Sequence, residues 1–176
     1  MVLRTIPLPS KEGIEMSDVK DLREQQEVVN LLDQLINGDT YSSIQAAAAL
    51  AAVGEGVENS LLALLTDSGT VDRWNVAMAL ARVGTPAVDG LITVTATGDD
   101  AVRNPAVWAL AEIGDARAVE PLAAILREST SECCRALTAA ALLKIGDPAG
   151  IAAVEEELAT HGEAFEGLVM EAYEGT

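Results

Sequence analysis

Apolar and small residues recur along this chain in a pattern that repeats about every thirty residues. The stretch from Ala101 to Arg127, AVRNPAVWALAEIGDARAVEPLAAILR, shows the pattern most clearly. Its apolar positions are three and four residues apart, which places them on one face of each of two helices. Gly114 stands between the two halves, where a residue that can adopt a left-handed conformation often ends a helix. The stretch therefore predicts a helical hairpin whose apolar face needs neighbours of the same kind.

Three more copies come into register when the chain is aligned on this glycine. Successive hairpin glycines lie 30, 30 and 32 residues apart. Each is preceded by Leu four residues earlier, by Ala five residues earlier and by Val or Ile one residue earlier. The glycines are Gly54, Gly84, Gly114 and Gly146, and the leucines are Leu50, Leu80, Leu110 and Leu142. Tandem helical units of this length predict a solenoid, in which the leucines fill the space between units.

The pattern continues beyond the four copies at both ends. Residues 18–37 predict a long amphipathic cap helix with Ser17 as its N-cap, similar to the second helix of a missing unit. The segment 1–17 contains two prolines and a glycine and lacks a helical period, so we expect it to be irregular. The remainder, 18–176, is expected to be a single repeat domain. Its units are expected at about 39–67, 68–98, 99–127 and 128–161, followed by a C-terminal cap helix at 164–173.

Two stretches are ambiguous at the level of local propensity. The run from Leu91 to Thr97 is β-rich, but it falls where the second helix of the second unit must lie, so we expect a helix. Pro105 bends the first helix of the third unit if that helix begins at Asp99 or Asp100. If Asn104 is the N-cap instead, Pro105 is a favourable first residue. We favour the bend.

The second helix of the fourth unit differs in character from the others. Glu155 and Glu157 occupy two positions that are mostly large and apolar in the first three units. A polar outer face is typical of the last unit of an array. The stack is therefore expected to end at this helix.

The third unit carries the most specific motif. Arg103 and Leu110 are followed by Ile113-Gly114-Asp115 and by Ala118-Val119-Glu120-Pro121-Leu122. This order resembles the short HEAT-like repeats first described in phycobilisome lyases, and the resemblance covers about residues 39–173. It implies an all-α fold, a right-handed α-solenoid of the armadillo/HEAT type with about four helical hairpins and capping helices. Most proteins that carry these repeats are not lyases, so the resemblance implies a fold more than an activity.

An arginine recurs eleven residues before each of the last three hairpin glycines, and Ser43 takes its place in the first unit. The arginines are Arg73, Arg103 and Arg135, and Asp115 and Asp147 follow two of the glycines. In the repeats that this chain resembles, the arginine lies near the turn of the preceding unit. The resemblance thus implies a ladder that fixes the register of the units more than it stabilises them. The expected pairs are Arg135–Asp115, Arg103–Thr85 and Arg73–Glu55.

Charge narrows the classes of partner. The chain has 28 acidic and 11 basic residues, a formal net charge of −17. Binding to nucleic acid needs Lys and Arg at the phosphates, so we expect no nucleic-acid partner and no binding to an anionic membrane. The acidity permits a basic partner, and it equally suits solubility or a salty cytoplasm.

Candidate chemistry is sparse. His161 is the only histidine, and only Glu163 lies beside it as a possible metal ligand. Cys133 and Cys134 are adjacent, which disfavours a disulfide between them; we expect free thiols, with a redox role as the alternative. We therefore expect no catalytic residue, no metal site, no cofactor and no enzymatic activity. The chain shows no signal peptide and no transmembrane run, from which we expect a cytoplasmic protein.

Binding is the remaining class of function. In a curved stack the second helices line the concave face. Its outward positions include Asn59, Asp89, Thr93, Glu120 and Glu156, which we call the acidic strip. Our leading hypothesis is a non-catalytic interaction scaffold that binds a protein or peptide, a basic one for preference, on this strip. The alternatives are an accessory subunit of a bilin-lyase-like or other modifying enzyme, and a spacer in a larger assembly; we expect a monomer or a weak homodimer.

Trp74 and Trp108 are large for an Ala-rich stack. One interpretation is that both fill gaps between first helices. The other is that one of them is exposed and anchors a partner, since Trp is favoured at binding hot spots.

Overall fold

The described part of the chain is built from α-helices joined by short connections. The computed structural model describes residues 16–53, 56–69, 72–97 and 99–175, with side chains from residue 22 onward. The expected irregular segment before Met16 lies outside the described residues. The helices are α1 (Met16–Asn37), α2 (Thr40–Val53), α3 (Val57–Thr66), α4 (Arg73–Val83), α5 (Val88–Thr95), α6 (Asp100–Ile113), α7 (Val119–Glu128), α8 (Glu132–Ile145) and α9 (Pro148–Glu174). Short 3₁₀ turns at Thr85–Ala87 and Ala116–Ala118 precede α5 and α7, and no strand occurs in the described ranges.

The helices form two layers. The first helices of the units, α2, α4, α6 and α8, form one layer, the first-helix layer, in which each packs on the next. The second helices form the other layer, which we call the second-helix layer; in it α3 packs on α5 and α7 packs on α9. Each second helix also packs on the first helix that follows it, as α5 does on α6 and α7 on α8. This nearest-neighbour arrangement is an all-α solenoid, as the repeat predicts.

The repeated leucines form the core between units. Leu50, Leu80, Leu110 and Leu142 are all fully buried. The alanines one residue earlier in the last three units are fully buried as well, so the helices of the first layer meet through small side chains. Burial of one such leucine stabilises the fold by roughly 1.5–3 kcal/mol.

The hairpin glycines end the first helices. Gly114 (φ 71°, ψ 21°) and Gly146 (φ 75°, ψ 13°) adopt the left-handed conformation, and their N–H groups donate to the carbonyls of Leu110 and Leu142. This confirms the prediction that α6 stops at Gly114. A side chain at either position would be strained in this conformation.

Both ambiguous stretches are helical. The β-rich run forms most of α5, because packing against α6 outweighs the strand propensity of its residues. α6 is capped by Asp99, whose carboxylate accepts from the N–H of Ala101, so Pro105 lies inside the helix and the alternative start at Asn104 is wrong.

The N-terminal helix begins earlier than expected, whereas the C-terminal helices divide where the sequence places the boundary. α1 already includes Met16, so Ser17 is inside the first turn rather than its N-cap. At the other end, the second helix of the fourth unit and the cap helix are two helical arms of α9 that meet at a kink at Gly162 (φ 73°, ψ −170°). We call residues 148–161 its N-terminal arm and residues 163–174 its C-terminal arm. The C-terminal arm is seated by Phe165 and Val169, both buried.

Candidate functional site

The repeated arginines bind the end of the helix that precedes them. Each donates its Nε–H to a carbonyl of the preceding second helix, eight residues back in two cases and nine in the third. The pairs are Arg73 with Leu65 (3.1 Å), Arg103 with Thr95 (3.0 Å) and Arg135 with Leu126 (3.2 Å). Carbonyls in the last turn of a helix have no partner within the helix. The arginines supply that partner and so join each second helix to the next first helix; we call this the helix-end contact.

The first unit keeps the helix-end contact without an arginine. Ser43 is buried, and its hydroxyl donates to the Leu35 carbonyl of α1 at 3.1 Å, again eight residues back. α1 is therefore placed against α2 as every second helix is placed against the next first helix. This contact supports the interpretation of α1 as the second helix of a missing unit.

The predicted arginine–carboxylate ladder is wrong. Arg135 Nη2 lies 2.6 Å from Glu157 Oε2 and does not pair with Asp115, while Arg103 forms its ion pair with Asp100 at 3.4 Å. The guanidinium groups are drawn to the nearby helix ends and are therefore turned away from the hairpin turns. The remaining expected partner of Arg73, Glu55, lies outside the described residues.

The turn aspartates cap the helices that follow them. Asp115 accepts from the backbone N–H of Arg117 at 2.9 Å, and Asp147 accepts from the N–H of Ala149 at 2.8 Å. The first N–H groups of a helix need such acceptors, and an Asp two residues earlier supplies one locally. Both carboxylates are therefore engaged by a local cap rather than by the arginine of the next unit.

Arg117 is the residue that connects the turns of units two and three, and the sequence argument missed it. Its Nη1 lies 2.8 Å from Asp89 Oδ1, its Nη2 lies 2.8 Å from Asp115 Oδ2, and Nη2 also donates to the Thr85 carbonyl at 3.3 Å. Thr85 was the partner expected for Arg103. The only sequence signal for this role is that a basic residue stands in the turn after Gly114.

Contact with Arg117 shifts the acidity of Asp115. The side-chain hydrogen bond from Arg117, followed by its backbone N–H, lowers the pKa of Asp115 from an ordinary value of 3.8 to about 2. The same contact raises the pKa of Arg117. Because the folded-state pKa is depressed, the carboxylate stabilises the fold above about pH 4, and this contribution is lost as the pH falls toward 2.

We expect the carboxyl resonance of Asp115 to titrate with a midpoint near pH 2 in an NMR titration of the chain. Arg117→Ala removes both side-chain partners and should move this midpoint up toward the ordinary value of 3.8. A midpoint near 4 in the unsubstituted chain would contradict the assigned contact.

The acidic strip lies in the second-helix layer. Asn59, Asp89 and Glu120 are exposed in the first turns of α3, α5 and α7. Thr93, one turn after Asp89, and Glu156, in the N-terminal arm of α9, are exposed as well. The structure thus places all five strip residues in one layer of the array.

A groove of about 690 Å³ opens beside the strip, between α5 and α7. Ile92, Pro121 and Ile125 give it apolar walls, and Asp100 and Glu128 add carboxylates. Arg103 also lines the groove; its guanidinium binds the carbonyls of Thr95 and Thr97 and pairs with Asp100, which leaves Glu128 as the unpaired carboxylate of the described lining. The groove therefore offers apolar surface next to negative charge.

Trp74 does not join the strip, because it lies at the start of α4 in the other layer. Almost half of its surface, 49%, is exposed, and its ring meets that of Trp108 edge to face, with centroids 6.3 Å apart and planes at 76°. Trp108 is half-buried against the core. Trp108 therefore fills a gap between first helices, and Trp74 has the exposure that an anchor for a partner requires.

Other features that could carry a function in the described part of the chain are metal-binding clusters, paired thiols and membrane-spanning helices. No three His, Cys, Asp or Glu residues there are grouped to hold a metal ion. Cys133 is exposed and Cys134 is buried, and both thiols are free. Among the described helices none is by itself long and apolar enough to cross a membrane; one pair, Arg73–Val83 with Thr85–Thr95, reaches that length only across a bend of 118°.

Stacked helical hairpins, each tied to the last through a helix-end contact, define a tandem-repeat protein of the α-solenoid class. A family model for HEAT repeats matches residues 58–143 and, in an overlapping second match, residues 88–165. These matches cover more than half of the chain, which therefore belongs to the HEAT-repeat family. No curated protein matches it.

Proposed function

We propose that this chain is a non-catalytic interaction scaffold that holds a basic segment of another protein on the acidic strip and the groove beside it. HEAT repeats are commonly protein-interaction scaffolds. The observation that carries the proposal is the row of exposed carboxylates in the second-helix layer next to a groove with both apolar and polar walls. Second helices line the concave face in curved arrays, which is where an extended partner makes the most contact.

The charges of the strip support a basic partner. Asp89 keeps 81% of its side chain exposed although Arg117 contacts it. Glu120 and Glu156 are exposed and, within the described residues, form no ion pair. A partner with Lys or Arg at matching spacing gains charge complementarity, which favours association and selects against acidic proteins.

The finer placement among repeats of the phycobilisome-lyase type is also part of this proposal. Its support is the 30- to 32-residue period and the Ile113–Leu122 motif. On this view the array contributes binding rather than pigment chemistry.

The test is charge reversal on the strip. We expect Asp89→Lys with Glu120→Lys to weaken binding of a labelled Lys/Ala peptide at least ~10-fold at ~0.15 M salt, measured by fluorescence anisotropy. Circular dichroism should be unchanged, because both residues are exposed.

The matched control is Glu163→Lys with Glu166→Lys in the C-terminal arm of α9, which changes the net charge by the same amount on exposed residues. We expect less than a ~3-fold loss there, from net charge alone. Asp89→Lys also breaks the ion pair with Arg117. Arg117→Ala breaks the same ion pair but keeps the carboxylate of Asp89, so its peptide affinity shows how much of the loss comes from the ion pair. Equal weakening by the strip pair and the control pair would overturn the strip as the binding surface.

A further inference from the structure

A second groove of about 460 Å³ lies on the first-helix layer, away from the acidic strip. It crosses the N-terminal halves of α6 and α8 and is bordered by Trp74 on α4 and by Leu168 and Ala172 on the C-terminal arm of α9. We call it the Trp74 groove. Because it is in the other layer, its occupation is independent of the function proposed above.

The apolar part of the Trp74 groove is exposed yet held in place. The Trp74 ring is held by its edge-to-face contact with the Trp108 ring, and the backbone N–H of Trp74 donates to the N-cap Asp72 at 3.0 Å. Leu168 is 37% exposed, while Phe165 and Val169, on the buried side of the same arm, attach that arm to the array. An aromatic that is already ordered loses little side-chain entropy on binding, which favours it as an anchor.

The polar part of the groove is negative. Glu132 and Glu171 are among its lining residues, and no Lys or Arg is. Asn104 also lines it, and the carboxamide oxygen of that residue is buried without a hydrogen-bond partner. An apolar centre with carboxylates beside it fits an apolar segment flanked by cations and disfavours one flanked by carboxylates.

We infer that the Trp74 groove is a second docking site, and that it binds an amphipathic helix of another protein whose apolar face is bordered by Lys or Arg. The apolar face covers Trp74 and Leu168, and the flanking cations lie beside Glu132 and Glu171. Helices that lie in apolar grooves are recognised through anchors at helical spacing in this way.

Cys133 makes the site measurable, since this exposed thiol lines the groove while Cys134 is buried. The probe is a 14-residue Leu/Lys peptide of helical pattern, and its counterpart carries Glu at each Lys position. Both are tested on the full chain with Asp89→Lys and Glu120→Lys, which weakens binding at the strip. We expect the Lys peptide at saturation to slow alkylation of Cys133 at least ~5-fold, and the Glu peptide to leave the rate unchanged.

In the same background we expect Trp74→Ala to weaken the Lys peptide by about 10- to 30-fold. Leu168→Ala is a second variant at the other side of the groove and should weaken it in the same direction. Tyr41→Ala, at an aromatic that is 73% exposed on α2, is the matched control and should leave the affinity unchanged.

Three results would each overturn the inference. One is binding of the Lys peptide with no protection of Cys133, which places the peptide elsewhere. Another is equal affinity for the chains with and without Trp74→Ala. The third is a thiol at position 133 that is already unreactive in the free chain, which would show that another part of the chain or a second copy covers the groove.

Discussion

Leu110→Ala lowers the free energy of unfolding by about 3–5 kcal/mol. Leu110 is fully buried in α6, the first helix of the third unit, which packs on α4, α5 and α8. Truncation removes three heavy atoms from that contact and leaves a cavity that the neighbouring helices fill only in part. Urea unfolding followed by circular dichroism measures the change.

The same truncation at an exposed leucine separates packing from helix propensity. Leu22 is 62% exposed near the start of α1, and Leu22→Ala should change the free energy of unfolding by less than about 1 kcal/mol. Comparable losses from the two substitutions would mean that the repeated leucines do not carry the stability of the array.

Arg135→Ala is expected to cost about 2–3 kcal/mol and to loosen the C-terminal arm of α9. Arg135 makes the helix-end contact with Leu126, pairs with Glu157 and lies over the Phe165 ring, 4.8 Å from its centroid. Its removal leaves the half-buried carboxylate of Glu157 with one remaining ionic partner among the described residues, His161 at 3.2 Å. Hydrogen bonds to charged groups are worth about 1.5–3 kcal/mol, and an uncompensated carboxylate adds to the loss. Hydrogen exchange of residues 163–174, read by mass spectrometry, should become faster.

Arg73 offers a matched control at the same position of an earlier unit. Its guanidinium donates to the carbonyls of Leu65 and Asp67, and its described contacts include no carboxylate. Arg73→Ala should therefore cost about 1.5 kcal/mol, the lower end of that range, and leave exchange in α9 unchanged. Arg135→Lys should recover only part of the loss, since an ammonium cannot reproduce the planar fork of a guanidinium. Equal costs at both arginines would show that Glu157 and Phe165 contribute nothing through Arg135.

Predictions that depended on local periodicity were confirmed. The four leucines are buried, α6 ends at Gly114, and both Pro105 and the β-rich run of α5 are helical. These features could be predicted because three signals in the sequence indicate the same helices: apolar residues at helical spacing, a glycine at the helix end, and the repetition of both in the neighbouring units.

Predictions about which long side chain meets which partner were mostly wrong. Arg135 pairs with Glu157 rather than Asp115, and Arg117, which the repeat alignment did not single out, contacts the turn of the preceding unit. A guanidinium has five donors and several ångströms of reach, so it can satisfy acceptors on more than one element. The spacing of residues along the chain does not show which of these acceptors the arginine will bind.

Glu157 shows the same limit for a single residue. Its position in the last second helix predicts a solvated outer face, yet its side chain is only 15% exposed because Arg135 and His161 contact it. Phe165 of the C-terminal arm of α9 contacts both Arg135 and His161. No local sequence pattern predicts this arrangement. The position of Trp74 shows the limit as well, since its distance from the acidic strip depends on which layer α4 occupies.

The sequence by itself determined the repeat, its period, the helices and the buried leucines of this HEAT-repeat protein. These follow from amphipathic spacing, which is a property of neighbouring residues. Only the tertiary structure decided the partners of the arginines, the burial of Glu157, and the separation of Trp74 from the acidic strip. Those depend on distances between elements far apart in the chain, where hydrogen-bond geometry and burial choose among acceptors and surfaces that the sequence leaves equivalent.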